Sequence, residues 1–318
     1  MLTISKPRVA TFPEFTSLSP DLYEFYQGYL FDYPQHCDFS LNNLLIWFGG
    51  DKIKLSMLNR NLVLQISESI YANELGGTSW YTIIGRHKSD KTLSTFFESG
   101  VSDSLMMVPD YFVSSIKRPD KWQVDEDKAN RDYILSIPSL LSKQGKLYEN
   151  FRYQISYFLR YHSEDARLQD LDLMSPNVQK EITASLKNWK VNSFAAGAND
   201  EKRVDEVAIH RLMELQPHLL VKHRCIGLYI DDELAGITIF HVPNSRFRIG
   251  LGNHIKFNGK YKRMFDFLVF ATASRLNTEG IKFLNAEQDM GLHGIRHHKK
   301  DLNPITFFQK YTIRPKQD

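Results

Sequence analysis

The chain has 318 residues, 42% hydrophobic and 13% aromatic, which excludes a disordered or low-complexity protein and is more than one comfortable core needs. Its 40 basic and 37 acidic residues leave a formal net charge of +3, which excludes a general nucleic-acid binder, so any anion site must be a local patch. Its two cysteines, Cys37 and Cys225, form no CxxC, which excludes a disulfide framework or a thiolate zinc site and fits two partly buried free thiols in a reducing cytosol.

The opening MLTISKPRVATFPEF lacks the apolar core of a signal peptide. No window approaches the roughly 20 apolar residues that span a bilayer. The expectation is a cytoplasmic protein with no transmembrane segment, able to touch a membrane surface but not to cross one.

In chain order, Ser19-Pro20 is a helix start, and Leu22, Phe25, Tyr26 and Tyr29 follow at helical spacing. A short helix is predicted over 40–48 and ends at Gly49-Gly50. Strands are predicted over 54–58, 62–66 and 80–84, a helix over 91–99, a strand over 104–108 and a helix from Asp110 to 116. Residues 132–137 read as a strand, and 139–162 as an aromatic-rich helical stretch broken at Gly145. Next, Ser175-Pro176 caps a helix to 189, residues 192–200 make a loop, and 205–215 are helical. Strands 225–230 and 235–242 flank an Asp231-Asp232 turn, and a third strand covers 247–256. A helix over 261–275, a buried strand over 281–286, a helix over 292–300 and a strand over 307–313 complete the chain.

The second half therefore runs helix, helix, three antiparallel strands, helix, strand, helix, strand. That is the order of a GNAT-type N-acyltransferase module. The first half has a similar order without sequence repetition. The expected fold is α/β, of the α+β kind: two tandem GNAT-like modules, 1–165 and 166–318, with mixed sheets flanked by helices.

The stretch NAEQDMGLHGIRHHKKDLNP, 285–304, gathers charge and glycine after a short apolar run. It resembles the closing motif of the phosphatidylglycerol lysyltransferase C-terminal domain-like family, roughly N-x-E-x-D-x-G-x-x-G-x-R-x-x-K-x-x-x-x-P. Asn285, Glu287, Asp289, Gly291, Gly294, Arg296, Lys299 and Pro304 stand at the matching positions. Two further segments agree: 37–47 through Asn43, Leu44, Ile46 and Trp47, and 145–158 through Gly145, Lys146, Arg152, Ile155 and Phe158. In the latter, Asn150 and Phe151 replace a basic pair, and Tyr153 replaces an asparagine. The resemblance covers residues 20–314. It implies tandem GNAT-like domains related to the Fem-type aminoacyltransferases, an aminoacyl-tRNA donor and a lipid headgroup as acceptor.

The residues themselves offer matching parts. Aminoacyl transfer needs a positioned nucleophile, a proton acceptor, an oxyanion stabiliser and cations for a phosphorylated donor. Arg296 can fork onto a phosphate or carboxylate, and Lys299, three residues on, shares its helix face. Gly291 and Gly294 let backbone approach a ligand. Asp289 is either a base, an orienting partner of Arg296 or a plain helix cap, and the sequence leaves this open. Arg152 is an expected substrate contact, with Asn285 and Glu287. His293, His297 and His298 lack the HExxH pattern, and no metal is expected. Asn258, Gly259 and Lys260 stand where GNAT modules bind the cofactor pyrophosphate, but the glycine-rich signature is missing. Three readings remain: an aminoacyl-tRNA-dependent transferase acting on a lipid headgroup or other small acceptor, a transferase using a coenzyme A thioester, and a non-catalytic binding protein on the same fold. No DNA partner is expected.

Overall fold

The computed structural model describes the backbone of residues 9–67, 79–191 and 199–316, and their side chains outside 190–204. The expected 192–200 loop lies, up to residue 198, outside the described residues. Two compact units emerge, Met1–Arg131 with Phe308–Asp318, and Asp132–Phe307.

Unit 1 opens with two short strands, β1 (Ala10–Thr11) and β2 (Thr16–Ser17). Helices α1 (Tyr23–Leu30) and α2 (Leu41–Trp47) follow. Ser40 caps α2, its hydroxyl accepting the Asn43 N–H at 3.2 Å. A meander of β3 (Ile53–Leu58), β4 (Asn61–Ile66) and β5 (Trp80–Ile84) is antiparallel throughout. Then come α3 (Ser89–Glu98), β6 (Leu105–Pro109), α4 (Asp110–Val113) and β7 (Trp122–Glu126). The order helix, helix, three antiparallel strands, helix, strand, helix, strand is thus present in the first half as well.

Unit 2 starts with β8 (Asp132–Ser136) and two helices, α5 (Ile137–Ser142) and α6 (Glu149–His162). The break falls at Gly145, whose φ of +81° suits glycine. Strand β9 (Ala166–Leu171), helices α7 (Pro176–Val191) and α8 (Asn199–Leu215), and the meander β10 (Arg224–Ile230), β11 (Glu233–Asn244), β12 (Ile249–Phe257) follow. Asp231 and Asp232, both at positive φ, form the tight turn between β10 and β11. Helix α9 (Met264–Thr278), β13 (Phe283–Asn285), α10 (His293–Asp301) and β14 (Thr306–Phe308) end the unit. Its seven strands run β14-β8-β13-β12-β11-β10-β9. The pair β12–β13 is parallel, and its other neighbours with a resolved register are antiparallel.

The last strand, β15 (Lys310–Pro315), returns to unit 1 and lies between β6 and β7, antiparallel to both. The expected terminal strand over 307–313 is therefore two strands in two sheets.

The division differs from the expected 165/166 boundary. Residues 132–165 belong with unit 2 because β8 pairs with β13 and because α5 and α6 pack on α9. Leu140, Phe151, Ile155 and Phe158 share one core with Leu268, Leu276 and Leu284. The aromatic stretch splits accordingly: Phe151 and Phe158 are buried, whereas Tyr153 and Tyr161 are exposed. Strand β9 was missed because it is an edge strand with mostly exposed residues and carries no apolar alternation.

Ile313 is fully buried in the unit 1 core with Leu105, Phe112 and Trp122. An Ile313→Ala change is expected to lower stability by about 2–5 kcal/mol, read from urea unfolding.

Candidate functional site

The site residues are set by the join between β13 and α10. Ile249–Leu251 of β12 align with Phe283–Asn285 of β13, and the pairing ends there while β12 continues to Phe257. The chain past Asn285 turns through three positive-φ residues: Glu287, Met290 and Gly291, at +59°, +51° and +79°. Two of these are not glycine, and such backbone persists only where surrounding bonds over-determine it.

Asp289 supplies those bonds. Its side chain is fully buried. It accepts the Tyr133 hydroxyl at 2.5 Å, the Gly291 N–H at 2.8 Å, and the Arg296 Nε and Nη2 at 2.9 and 3.0 Å. Burial pushes its pKa up, but the Arg296, Tyr133 and Gly291 hydrogen bonds outweigh it and hold the carboxyl below the usual carboxylate range. Arg296, on the first turns of α10, thus has its guanidinium locked by a fork while 35% of its side chain faces solvent. Lys299 lies one turn further along α10, and its Nζ donates to the Gln288 carbonyl at 2.5 Å.

A string of buried and half-buried polar groups adjoins the junction. Asn285 donates to Asp132 at 2.8 Å and accepts the Glu287 N–H at 2.8 Å. The Glu287 carboxylate accepts from Asn253 Nδ2 at 3.0 Å. The Asn253 amide oxygen then faces His241 Nδ1 at 2.7 Å, so Nδ1 carries the ring proton. The His223 ring lies 4.5 Å from that of His241. His254 is buried in the same strand as Asn253. Sequence reading missed Tyr133, Asn253 and the three histidines. His241 sits within the apolar strand run ITIFHV, which reads as plain core, whereas His223 and His254 stand beside charged or polar residues, in KHR and GNHIK, and read as surface.

The other candidates make no hydrogen bond to Asp289 among those described. Arg152, on α6, donates to the carbonyls of Lys143 and Gly145, so it closes the end of α5. Asn258 accepts the Lys260 N–H at 3.1 Å in a local turn, and Lys260 pairs with Glu233 at 3.4 Å, with Gly259 between them. Gly294 is in the first turn of α10, and a Cβ there would meet open space, so close backbone approach does not explain this glycine. His297 pairs with Asp301 at 3.6 Å, and His298 stands over Phe265. Among the described residues, no helix is long and apolar enough to cross a membrane.

No protein-family model and no curated protein matches the chain. Solved structures do. A conserved protein of unknown function from Bacteroides thetaiotaomicron aligns over 95% of this chain and 99% of its own, with a TM-score of 0.77 and 18% identity. The C-terminal DUF2156 domain of a putative lysylphosphatidylglycerol synthetase from Agrobacterium fabrum aligns over 93% and 92%, with a TM-score of 0.61 and 10% identity. L-PGS from Bacillus licheniformis aligns over 98% and 95%, with a TM-score of 0.61 and 12% identity. The chain has the lysylphosphatidylglycerol synthetase C-terminal domain fold. At these low identities the structural likeness establishes the shared fold of mixed sheets flanked by helices alone, and the activity is a separate question.

Replacing Tyr133 by Phe removes one donor from the Asp289 carboxylate. The expected loss is about 1–3 kcal/mol in urea unfolding, with the fold retained. A pH effect follows from the buried histidines. Burial lowers the pKa of His241 and of His254 to about 4 and lowers His223 well below its ordinary value. The unfolded chain therefore binds more protons between about 4 and about 6.5. The stability these rings contribute is present above about 6.5 and is lost as pH falls towards and through about 4. Each ring accounts for about 1.4 kcal/mol per pH unit in that window. Urea midpoints measured from pH 7 to pH 4.5 should fall, and His254→Gln should make the decline shallower.

Proposed function

We propose that the chain is an acyltransferase that passes an aminoacyl group from aminoacyl-tRNA, a phosphorylated donor, to a lipid headgroup or other small acceptor. The observation that carries this reading is the locked guanidinium of Arg296, forked onto buried Asp289 while 35% of its side chain stays exposed, on the helix that follows β13. A planar fork fixed in this way is pre-organised for a phosphate or for a developing oxyanion, because little reorganisation is left at the moment of reaction. The fold shared with the synthetase domains supports it.

Within this reading, Asp289 orients Arg296 rather than acting as the base, since its two oxygens already accept four hydrogen bonds. Glu287, half-buried and steered by Asn253, is the carboxylate placed to take the acceptor's proton or to bind the donor's ammonium. Lys299 steadies the turn through the Gln288 carbonyl, and Gly291 closes it. In the transfer, the acceptor's nucleophilic atom attacks the ester carbonyl. The carbonyl oxygen takes the charge beside Arg296, and the ester oxygen of the tRNA leaves with a proton. The coenzyme A alternative gains no support from the 258–260 turn, where Lys260 is engaged with Glu233.

Charged tRNA with labelled amino acid and phosphatidylglycerol vesicles is the direct assay. Labelled lipid is expected with charged tRNA and none with acetyl-coenzyme A. Arg296→Lys, which keeps the charge but loses the fork, is expected to lower kcat/KM about 10²-fold with an unchanged circular dichroism spectrum. Transfer from acetyl-coenzyme A alone would overturn the reading.

A further inference from the structure

Unit 1 holds a second group of reactive side chains that the transfer reaction leaves unused. Cys37 opens a short 3-10 turn, Cys37–Phe39, just before α2. Lys310 opens β15 at the other end of the chain. Lys310 is completely buried and Cys37 nearly so. The Lys310 ammonium lies 3.7 Å from the Cys37 sulfur. Asp38 completes the group: its carboxylate is ion-paired with Lys310 and accepts from the Cys37 thiol at 3.5 Å.

Backbone bonds hold both partners in place. Lys310 sits opposite Pro109 of β6, and its carbonyl accepts the Asp127 N–H at 2.8 Å. The Cys37 carbonyl accepts the Ser40 N–H at 3.3 Å, which anchors the turn to the cap of α2. An ion pair between Lys310 and Asp38 needs no sulfur to be stable. A fully buried lysine is nevertheless costly to place, and here it stands with its nitrogen at van der Waals contact with a thiol. Nitrogen, sulfur and a proton acceptor are therefore gathered in one buried spot.

We propose that Cys37 and Lys310 are an oxidation-responsive pair that hydrogen peroxide converts into a covalent nitrogen–sulfur link. In the first step the sulfur attacks peroxide. A sulfur–oxygen bond forms, the oxygen–oxygen bond breaks, and the hydroxide released takes the thiol proton and leaves as water. Cys37 is then a sulfenic acid, the species that condenses with a nearby nitrogen to a sulfenamide. In the second step Lys310 gives one proton to the Asp38 carboxylate, and its lone pair attacks the sulfur. The nitrogen–sulfur bond forms, the sulfur–oxygen bond breaks, and hydroxide leaves with the second amine proton as water. The sum is one thiol, one ammonium and one peroxide giving one sulfenamide, two waters and one proton held by Asp38. The sulfur is oxidised and the peroxide is reduced.

The link would join residues 273 apart and tie β15 to the turn before α2. Closing so long a loop restricts the unfolded chain strongly. Cys225 is the internal control: it is buried in β10, burial pushes its thiol pKa well up, and the nearby charge acting on it is the acidic Asp170. It should stay a thiol under the same treatment.

The experiment is peroxide treatment of the full chain, then intact-mass measurement and tryptic mapping under non-reducing denaturing conditions. The expected product is about 2 Da lighter and yields a joined peptide containing Cys37 and Lys310. Dithiothreitol should restore the original mass. Cys225→Ser should form the link as the wild type does, and Cys37→Ser should not. Lys310→Arg keeps the charge beside Asp38 but lacks the amine nucleophile, so its Cys37 should stop at an oxygen adduct about 16 Da heavier. If Lys310→Arg fails to fold, the wild-type peptide map decides alone. Wild-type protein in which Cys37 gains oxygen while Lys310 remains unlinked, or in which Cys37 stays unreacted, overturns the proposal.

Discussion

One buried carboxylate governs the β13–α10 junction. Asp289 is removed from water, and an unpaired ion in that position would be untenable by several kcal/mol. It is retained because four donors converge on it from three directions: the Tyr133 hydroxyl of β8, the Gly291 backbone and the fork of Arg296. The same group therefore fastens a strand of the sheet, shapes a turn with two non-glycine residues at positive φ, and sets the attitude of an arginine. Removing the carboxylate would release all three together, so the junction behaves as one cooperative piece rather than as a set of separable contacts.

The wider fold repeats one idea at both ends of the chain. In each unit two helices precede three antiparallel strands, and a helix then leads to a further strand, β6 in unit 1 and β13 in unit 2. Each of these receives an antiparallel partner from late in a half of the chain: β13 takes β8, and β6 takes β15. For β13 this puts the strand inside the sheet, between β8 and β12, and removes an edge that would otherwise invite pairing with another chain, whereas β6 stays at the end of its three-stranded sheet. The edge of the seven-stranded sheet that remains at β9 carries Arg167 and Asp170, both in ion pairs, which suits a solvated border.

Much of this was legible in the residues. The element order followed from apolar period and turn chemistry, and Ser40, Asp231-Asp232 and Gly145 performed the local tasks their types suggest. Of the 285–304 pattern, Asn285, Glu287, Asp289, Gly291, Arg296 and Lys299 are drawn by their hydrogen bonds into one junction. What spacing could not reveal was which group each polar atom would meet. Arg152 matches the family pattern yet spends its guanidinium on the carbonyls at the end of α5, because a helix end leaves acceptors that any nearby cation can satisfy. The 165/166 boundary was unreadable for a similar reason. The strand pairing of β8 with β13 is a contact between residues about 150 apart, and nothing local in either strand announces it.

The division of labour between Arg296 and Lys299 follows from reach and shape. Both lie on one face of α10, and either charge alone would attract an anion. Lys299 has bent back to the Gln288 carbonyl and stands 6.0 Å from the centre of the Tyr133 ring, so its charge is spent on holding the loop from behind. Arg296 has five donors, and Asp289 occupies two of them along one edge of the plane. An ammonium held by a buried carboxylate would present a rounded charge with no fixed direction. A guanidinium held along one edge keeps its remaining donors in a plane fixed by the fork. That geometric difference, rather than net charge, is what would let a chain with almost balanced charge offer a directional donor set from a single residue, as the proposed transfer requires.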